Sequence, residues 1–183
     1  AMYCDYHVHT DFSGDCDMPL EVACREAIEL GVKEIAVTDH LDIDYPKEGF
    51  NFHFDYDTYS SSLVKAQKRY GEQLSIIKGL EIGLQPHVLA ECHNYLQGTN
   101  FDFIIAAVHA VDRKDLYSGE FFAGRDKRTA FEEYLEDVYF CLKGFERYHV
   151  LGHIDLVRRY GNYRDNSMEY ADYKDLLDLI LKE

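Results

Sequence analysis

Residues 4–16 read CDYHVHTDFSGDC. In a strand, side chains two apart share a face. His7 and His9 would therefore aim two imidazoles at one place, with Val8 turned away. Two imidazoles gain little from a dry pocket with nothing between them, but they can share a cation. Asp15 follows in the turn behind and can return to the same place. Further along stand Asp39 and His40, Glu81, His109, and His153 with Asp155. Imidazole nitrogen suits zinc, iron and manganese, and carboxylate oxygen suits manganese and magnesium and can bridge two ions. His7, His9, Asp15, His40, Glu81, His109 and His153 are too many for one tetrahedral zinc site. The set calls for two or three divalent ions (Zn, Mn or Fe), with Glu81 shared between them.

These residues are scattered over about 150 positions, so secondary structure must gather them. Apolar runs at 2–9, 32–40, 74–83, 101–111 and 149–155 read as strands. Helical stretches at 19–31, 56–71, 86–98, 129–145 and 168–183 alternate with them, the first opened by Pro19 and stopped by Gly31. Five βα units of this kind imply a parallel sheet whose strands are covered on both faces. Every strand then delivers a histidine or a carboxylate at its carboxyl end, the rim where parallel α/β folds carry their sites. Asp39 reads as a supporting residue, holding His40 or a neighbouring ring by its free nitrogen. Asp155 has a plainer use, orienting the backbone after His153. His53, His87, His93 and His149 fall in a loop, on a helix or at the opposite rim, and are expected to be structural. The aromatic loop 41–57 is long enough to cover a site.

Composition narrows the field. The 183 residues, 46% hydrophobic, suit one domain with a substantial core. A net charge of −15 repels phosphate backbones, which argues against nucleic acid as a partner. No apolar run reaches membrane-spanning length, and none reads as a secretory leader. Five cysteines without a CxxC fit reduced thiols, so a cytoplasmic location is expected.

The segments HVHTDFSGD, TDH, GLEIG, AAVHAVD and LGHIDLVRRYG, in this order across nearly the whole chain, resemble the polymerase-and-histidinol-phosphatase (PHP) family. GLEIG and GHIDLVRRYG look most like its histidinol-phosphate phosphatase branch. The resemblance implies a distorted (β/α)7 TIM-like barrel with a trinuclear metal site. Carried over by residue, it gives His7, His9 and Glu81 to a first metal. Glu81, His109 and His153 go to a second, and Asp15 and His40 to a third. The family often has His where this chain has Asp15. It also normally ends with two further βα units and an Asp-x-His motif, and no such motif follows Arg164. The expectation is one PHP domain over 1–183, with about five βα units present and the C-terminal units missing. An open barrel of this kind would be completed by a further segment or by another copy.

The implied reaction is hydrolysis of a phosphate monoester, with water rather than a side chain as nucleophile. Arg158 and Arg159 follow the fifth strand, and a guanidinium fork matches phosphate. Tyr160 and the aromatic loop are placed to meet an organic leaving group. The expected substrate is L-histidinol phosphate, a small phosphorylated metabolite of histidine biosynthesis. The rivals are another ester, such as phosphotyrosine or a nucleotide, and a non-catalytic or proofreading metal-binding module of a larger protein.

Overall fold

The computed structural model describes residues 2–183. The chain lays down β1 (Tyr3–Val8), α1 (Leu20–Glu29), β2 (Val32–Val37), a short β3 (His40–Asp42) and α2 (Tyr56–Tyr70). β4 (Ser75–Gly83), α3 (Leu89–Gln97) and β5 (Phe103–Ala107) follow. After them come a hairpin of β6 (Ala110–Val111) and β7 (Lys114–Asp115), then α4 (Lys127–Gly144) and β8 (Val150–Leu151). The chain closes with α5 (Leu156–Tyr160) and α6 (Lys174–Ile180). The main strands pair in parallel in the order β1-β2-β4-β5-β8, a half-barrel whose two end strands each have one neighbour. β1 is accordingly exposed along much of its length, unlike the doubly covered strand that its sequence reads as.

Alternation along the strands divides the sheet into two faces. Ile76, Leu80 and Ile82 of β4, with Ile104 and Ala106 of β5, join the core beneath the helices. Leu63 and Tyr70 of α2, Cys92 and Leu96 of α3, and Phe131, Leu135 and Val138 of α4 meet them there. Glu81 and Gly83 alternate with the core residues of β4 and face the other way. Two helix starts are fixed by side chains: Asp55 and Asp126 accept from the backbone N–H of Thr58 (2.8 Å) and Thr129 (2.9 Å).

Several elements depart from the sequence expectation. The fourth strand, expected over 101–111, ends at Ala107, and Ala110 and Val111 pair antiparallel with β7 instead. The second strand does not run unbroken to His40. It stops at Val37 and resumes as β3, which pairs with β4 through His40↔Glu81 and Asp42↔Gly83. The break is held from both sides. Asp39 is buried and accepts from Thr10 N (2.5 Å), Thr10 Oγ1 (2.7 Å) and Ser13 Oγ (2.9 Å). The Tyr59 hydroxyl shares its proton between the carbonyls of Val37 (2.9 Å) and Gly79 (3.0 Å), where the β2–β4 ladder ends. Tyr59→Phe should therefore strand two buried acceptors and cost about 1–3 kcal/mol in chemical denaturation. A loss below about 0.5 kcal/mol would mean that these carbonyls find other donors.

The fifth strand contracts to two residues, because the backbone turns at His153 into α5. The expected last helix divides into a 3₁₀ turn at Tyr170–Asp172 and α6. Among the described residues no helix is long and apolar enough to cross a membrane, and the five cysteines are free.

Candidate metal centre

Glu81 sits at the middle of the rim with its side chain buried. Its Oε2 lies 2.9 Å from His7 Nε2, 3.2 Å from His9 Nε2 and 3.5 Å from His40 Nδ1. Its Oε1 lies 2.8 Å from His153 Nε2 and 3.2 Å from His109 Nε2. The five rings arrive from four strand ends. His7 comes from β1 and His9 from just beyond it, His40 opens β3, His109 follows β5, and His153 follows β8. His153 has a positive φ of 23°, rare for a side-chain-bearing residue. Its carbonyl is held by Leu156 N (2.9 Å) and the Tyr134 hydroxyl (3.3 Å), so the turn that aims the ring is anchored on both sides. Asp15 reaches the same cavity, with Oδ2 3.5 Å from His40 Nε2.

Five imidazoles around one carboxylate outnumber the roughly four lone-pair sites that a carboxylate offers. The buried Nδ1 of His40 and of His153 have no hydrogen-bond partner among the described residues. Nitrogen and oxygen donors crowded in this way fit cations placed between them. The sets His7–His9–Glu81, His40–Asp42–His109 and Glu81–His109–His153 each bring ligand atoms within 4.8 Å of one another.

The electrostatics are those of an ionised carboxylate ringed by imidazoles. Burial works against ionised Glu81, but the hydrogen bonds from His109, His153, His7 and His9 outweigh it and hold the carboxyl well below its usual range. Burial likewise opposes charge on His40, while Asp15, Asp42 and the field of Glu81 raise it to about 9. His40 therefore carries a proton at neutral pH that a bound cation must displace. Titrating zinc into the chain at neutral pH should release protons, read calorimetrically as a heat that changes with the buffer's ionisation enthalpy. Equal heats in all buffers would contradict this.

The rest of the expected residues separate cleanly. Arg159 and Tyr160 line the same cavity of about 540 Å³, walled by Tyr45, Phe50, Phe52 and Tyr117. Loop 41–57 thus supplies three of its aromatic walls. Arg158 does not line it. Its guanidinium is committed to Asp155 (3.1 Å) and the carbonyl of Asn166 (3.0 Å). Asp39 contacts no imidazole directly; it fixes Ser13, whose Oγ lies 2.8 Å from His40 N and 3.3 Å from His9 Nδ1. The other four histidines lie outside the cluster. His87 pairs with Asp44 (2.7 Å), His93 donates to the Gly144 carbonyl (3.0 Å), His149 accepts from Ile104 N (3.0 Å), and His53 packs near Tyr95.

One buried acid at the rim was not anticipated from sequence. Asp42 Oδ2 lies 2.6 Å from His109 Nδ1, on the side of the ring away from Glu81. The signal was present, because His40-x-Asp42 repeats the spacing of His7-x-His9 on a single strand face.

The chain is similar to known proteins over nearly its whole length. A histidinol-phosphatase of Lactococcus lactis is 34% identical over 179 residues, covering 97% of this chain and 66% of that protein. A probable histidinol-phosphatase of Clostridium acetobutylicum is 33% identical, covering 99% of this chain and 68% of the relative. A crystal structure of the Lactococcus lactis histidinol phosphate phosphatase, complexed with zinc, L-histidinol and phosphate, superposes with a TM-score of 0.93. It is 33% identical and covers 98% of this chain and 68% of that one. The chain thus spans about two thirds of the length of these relatives. The PHP domain profile matches residues 5–183, and on that match, over a rim that gathers histidines from four strand ends, the chain belongs to the PHP domain family.

Proposed function

We propose that the chain is a metal-dependent phosphomonoesterase that hydrolyses L-histidinol phosphate to L-histidinol and phosphate. The observation that carries the reading is Glu81, buried and met by imidazoles from every side, at the floor of a cavity that also holds a guanidinium and an aromatic wall. The zinc, L-histidinol and phosphate of the Lactococcus lactis structure support it.

His7, His9 and Glu81 would hold one ion, Glu81, His109 and His153 a second, and Asp15 with His40 a third. Zinc, manganese and iron are all compatible with the donors. When bound, such ions supply Lewis-acid stabilisation of the phosphate and a water of lowered pKa. The remaining chemistry belongs to the chain. Arg159 offers a fork that can take two phosphate oxygens at once and fix the ester's orientation. Tyr45, Phe50, Phe52, Tyr117 and Tyr160 enclose the organic part and keep bulk water from it. A cavity of this volume suits a small metabolite rather than a phosphoprotein loop. Five free thiols fit a cytoplasmic enzyme.

The direct test is phosphate release by the zinc- or manganese-loaded protein, offered L-histidinol phosphate, phosphotyrosine and mononucleotides. A preference for another ester by about two orders of magnitude in kcat/KM, some 2.7 kcal/mol, would overturn the substrate assignment. Arg159→Ala should raise KM about tenfold, the cost of a charged hydrogen bond to phosphate. Arg158→Ala should change it less than about twofold, since that side chain is spent on Asp155. Equal effects would show that both arginines reach the substrate.

A further inference from the structure

Asp42 is buried at the end of β3, with one carboxylate oxygen directed at each of two rings. Oδ2 lies 2.6 Å from His109 Nδ1, and Oδ1 lies 3.5 Å from His40 Nδ1, an atom equally distant (3.5 Å) from Glu81 Oε2. Asp42 Oδ1 and His40 Nδ1 are both buried and lack a hydrogen-bond partner among the described residues. They face each other, and a movement of a few tenths of an ångström would join them. On the far side of each ring, His109 Nε2 faces Glu81 (3.2 Å) and His40 Nε2 faces Asp15 (3.5 Å).

Room for this carboxylate comes from the neighbouring strand. Asp42 pairs in register with Gly83, and a Cβ on Gly83 would lie 2.6 Å from Asp42 Oδ1 and closer still to Cγ and Oδ2. Burial disfavours charge on Asp42, yet the facing rings hold its carboxyl down at about 2.

We propose that Asp42 is a positioning residue that clamps His40 and His109 by their Nδ1–H groups, so that both present Nε2 to the metal cluster. The inference rests on reading the rim as a metal centre. Outer carboxylates that fix the tautomer and angle of ligating histidines typically govern metal affinity by about 10–100-fold. Asp42 is placed to do this for two ligands on different strands at once. Its Oδ2 is engaged by His109, and Oδ1 is left to take the His40 Nδ1–H.

The experiment has two arms, neither of which uses substrate. In the first, zinc affinity is measured by chelator competition for the wild-type chain and for Asp42→Asn, which keeps the size but removes one acceptor and the charge. A loss of about 10–100-fold is expected, and an unchanged affinity in a folded variant would overturn the proposal. The second arm is a long-range proton–nitrogen spectrum of the zinc-loaded wild type with labelled histidine. It should show retained, downfield Nδ1–H signals for both His40 and His109, assigned by replacing each ring in turn. Metal bound through Nδ1 on either ring would overturn the clamp even if Asp42→Asn does not fold. Failure of the wild type to bind zinc at all would instead remove the metal-centre reading beneath it, a different and recognisable result.

Discussion

Glu81→Gln should lower phosphate release from L-histidinol phosphate by about 10²–10³-fold and take zinc content with it. The change preserves shape and removes one charge. Five imidazole nitrogens lie between 2.8 and 3.5 Å from the Glu81 oxygens, so a neutral amide in that position cannot serve as the shared anion. Its NH₂ group would also point a donor at nitrogens that need to donate or to bind metal. Removing one such preorganised group typically costs a reaction of this kind two to three orders of magnitude. Metal analysis after dialysis, together with single-turnover rates, separates lost ions from lost chemistry. His93→Ala is the control. Its ring touches the Gly144 carbonyl and Phe145 on the helical side, so zinc content and rate should stay within about twofold. If His93→Ala lost the metal and Glu81→Gln kept it, the site would be elsewhere.

Gly83→Ala should be strongly destabilising. The new Cβ would overlap the Asp42 carboxylate, which is buried and tied to His109, so it has no flexible end to swing away. Overpacking of about 1–3 kcal/mol adds to a charged hydrogen bond worth about 1.5–3 kcal/mol. A loss of about 2.5–6 kcal/mol in denaturant is therefore expected. The double variant Gly83→Ala/Asp42→Ala should recover part of that stability, because the obstacle has gone, while zinc affinity stays low. Strict additivity of the two single changes would show that they do not meet. Gly98→Ala, where the nearest atom to a new Cβ is Tyr95 O at 3.9 Å, should cost no more than about 0.5 kcal/mol.

The strands and the residues at their ends were legible because both follow from short-range pattern. Alternation and apolar runs locate β1, β4 and β5, and the residue after each run is a matter of counting. Where tertiary partners decide the backbone, local pattern was insufficient. The run through Val37 and His40 reads as one strand. Its interruption depends on Asp39 reaching Thr10 and Ser13, and on Tyr59 arriving from α2, contacts between segments 20–30 residues apart. By sequence the aromatic loop begins at Leu41 and takes in Asp42. Its place on β3 emerges only from the pairing with β4. The contraction of the fifth strand has the same origin, since the positive φ of His153 has no sequence marker such as glycine. Adjacent in sequence, Arg158 and Arg159 are separated by the turn into α5, which sends Arg159 to the cavity and Arg158 to Asp155.

In this sheet the spatial sequence of the main strands repeats the order of synthesis. Each new strand leaving a ribosome finds its docking edge already made, and no earlier layer has to reopen to admit it. Growth by simple addition keeps loop closures short and favours rapid vectorial folding. The ions' anchor points would then accumulate one strand at a time during translation, with Glu81 in place before His109 and His153 emerge to meet it.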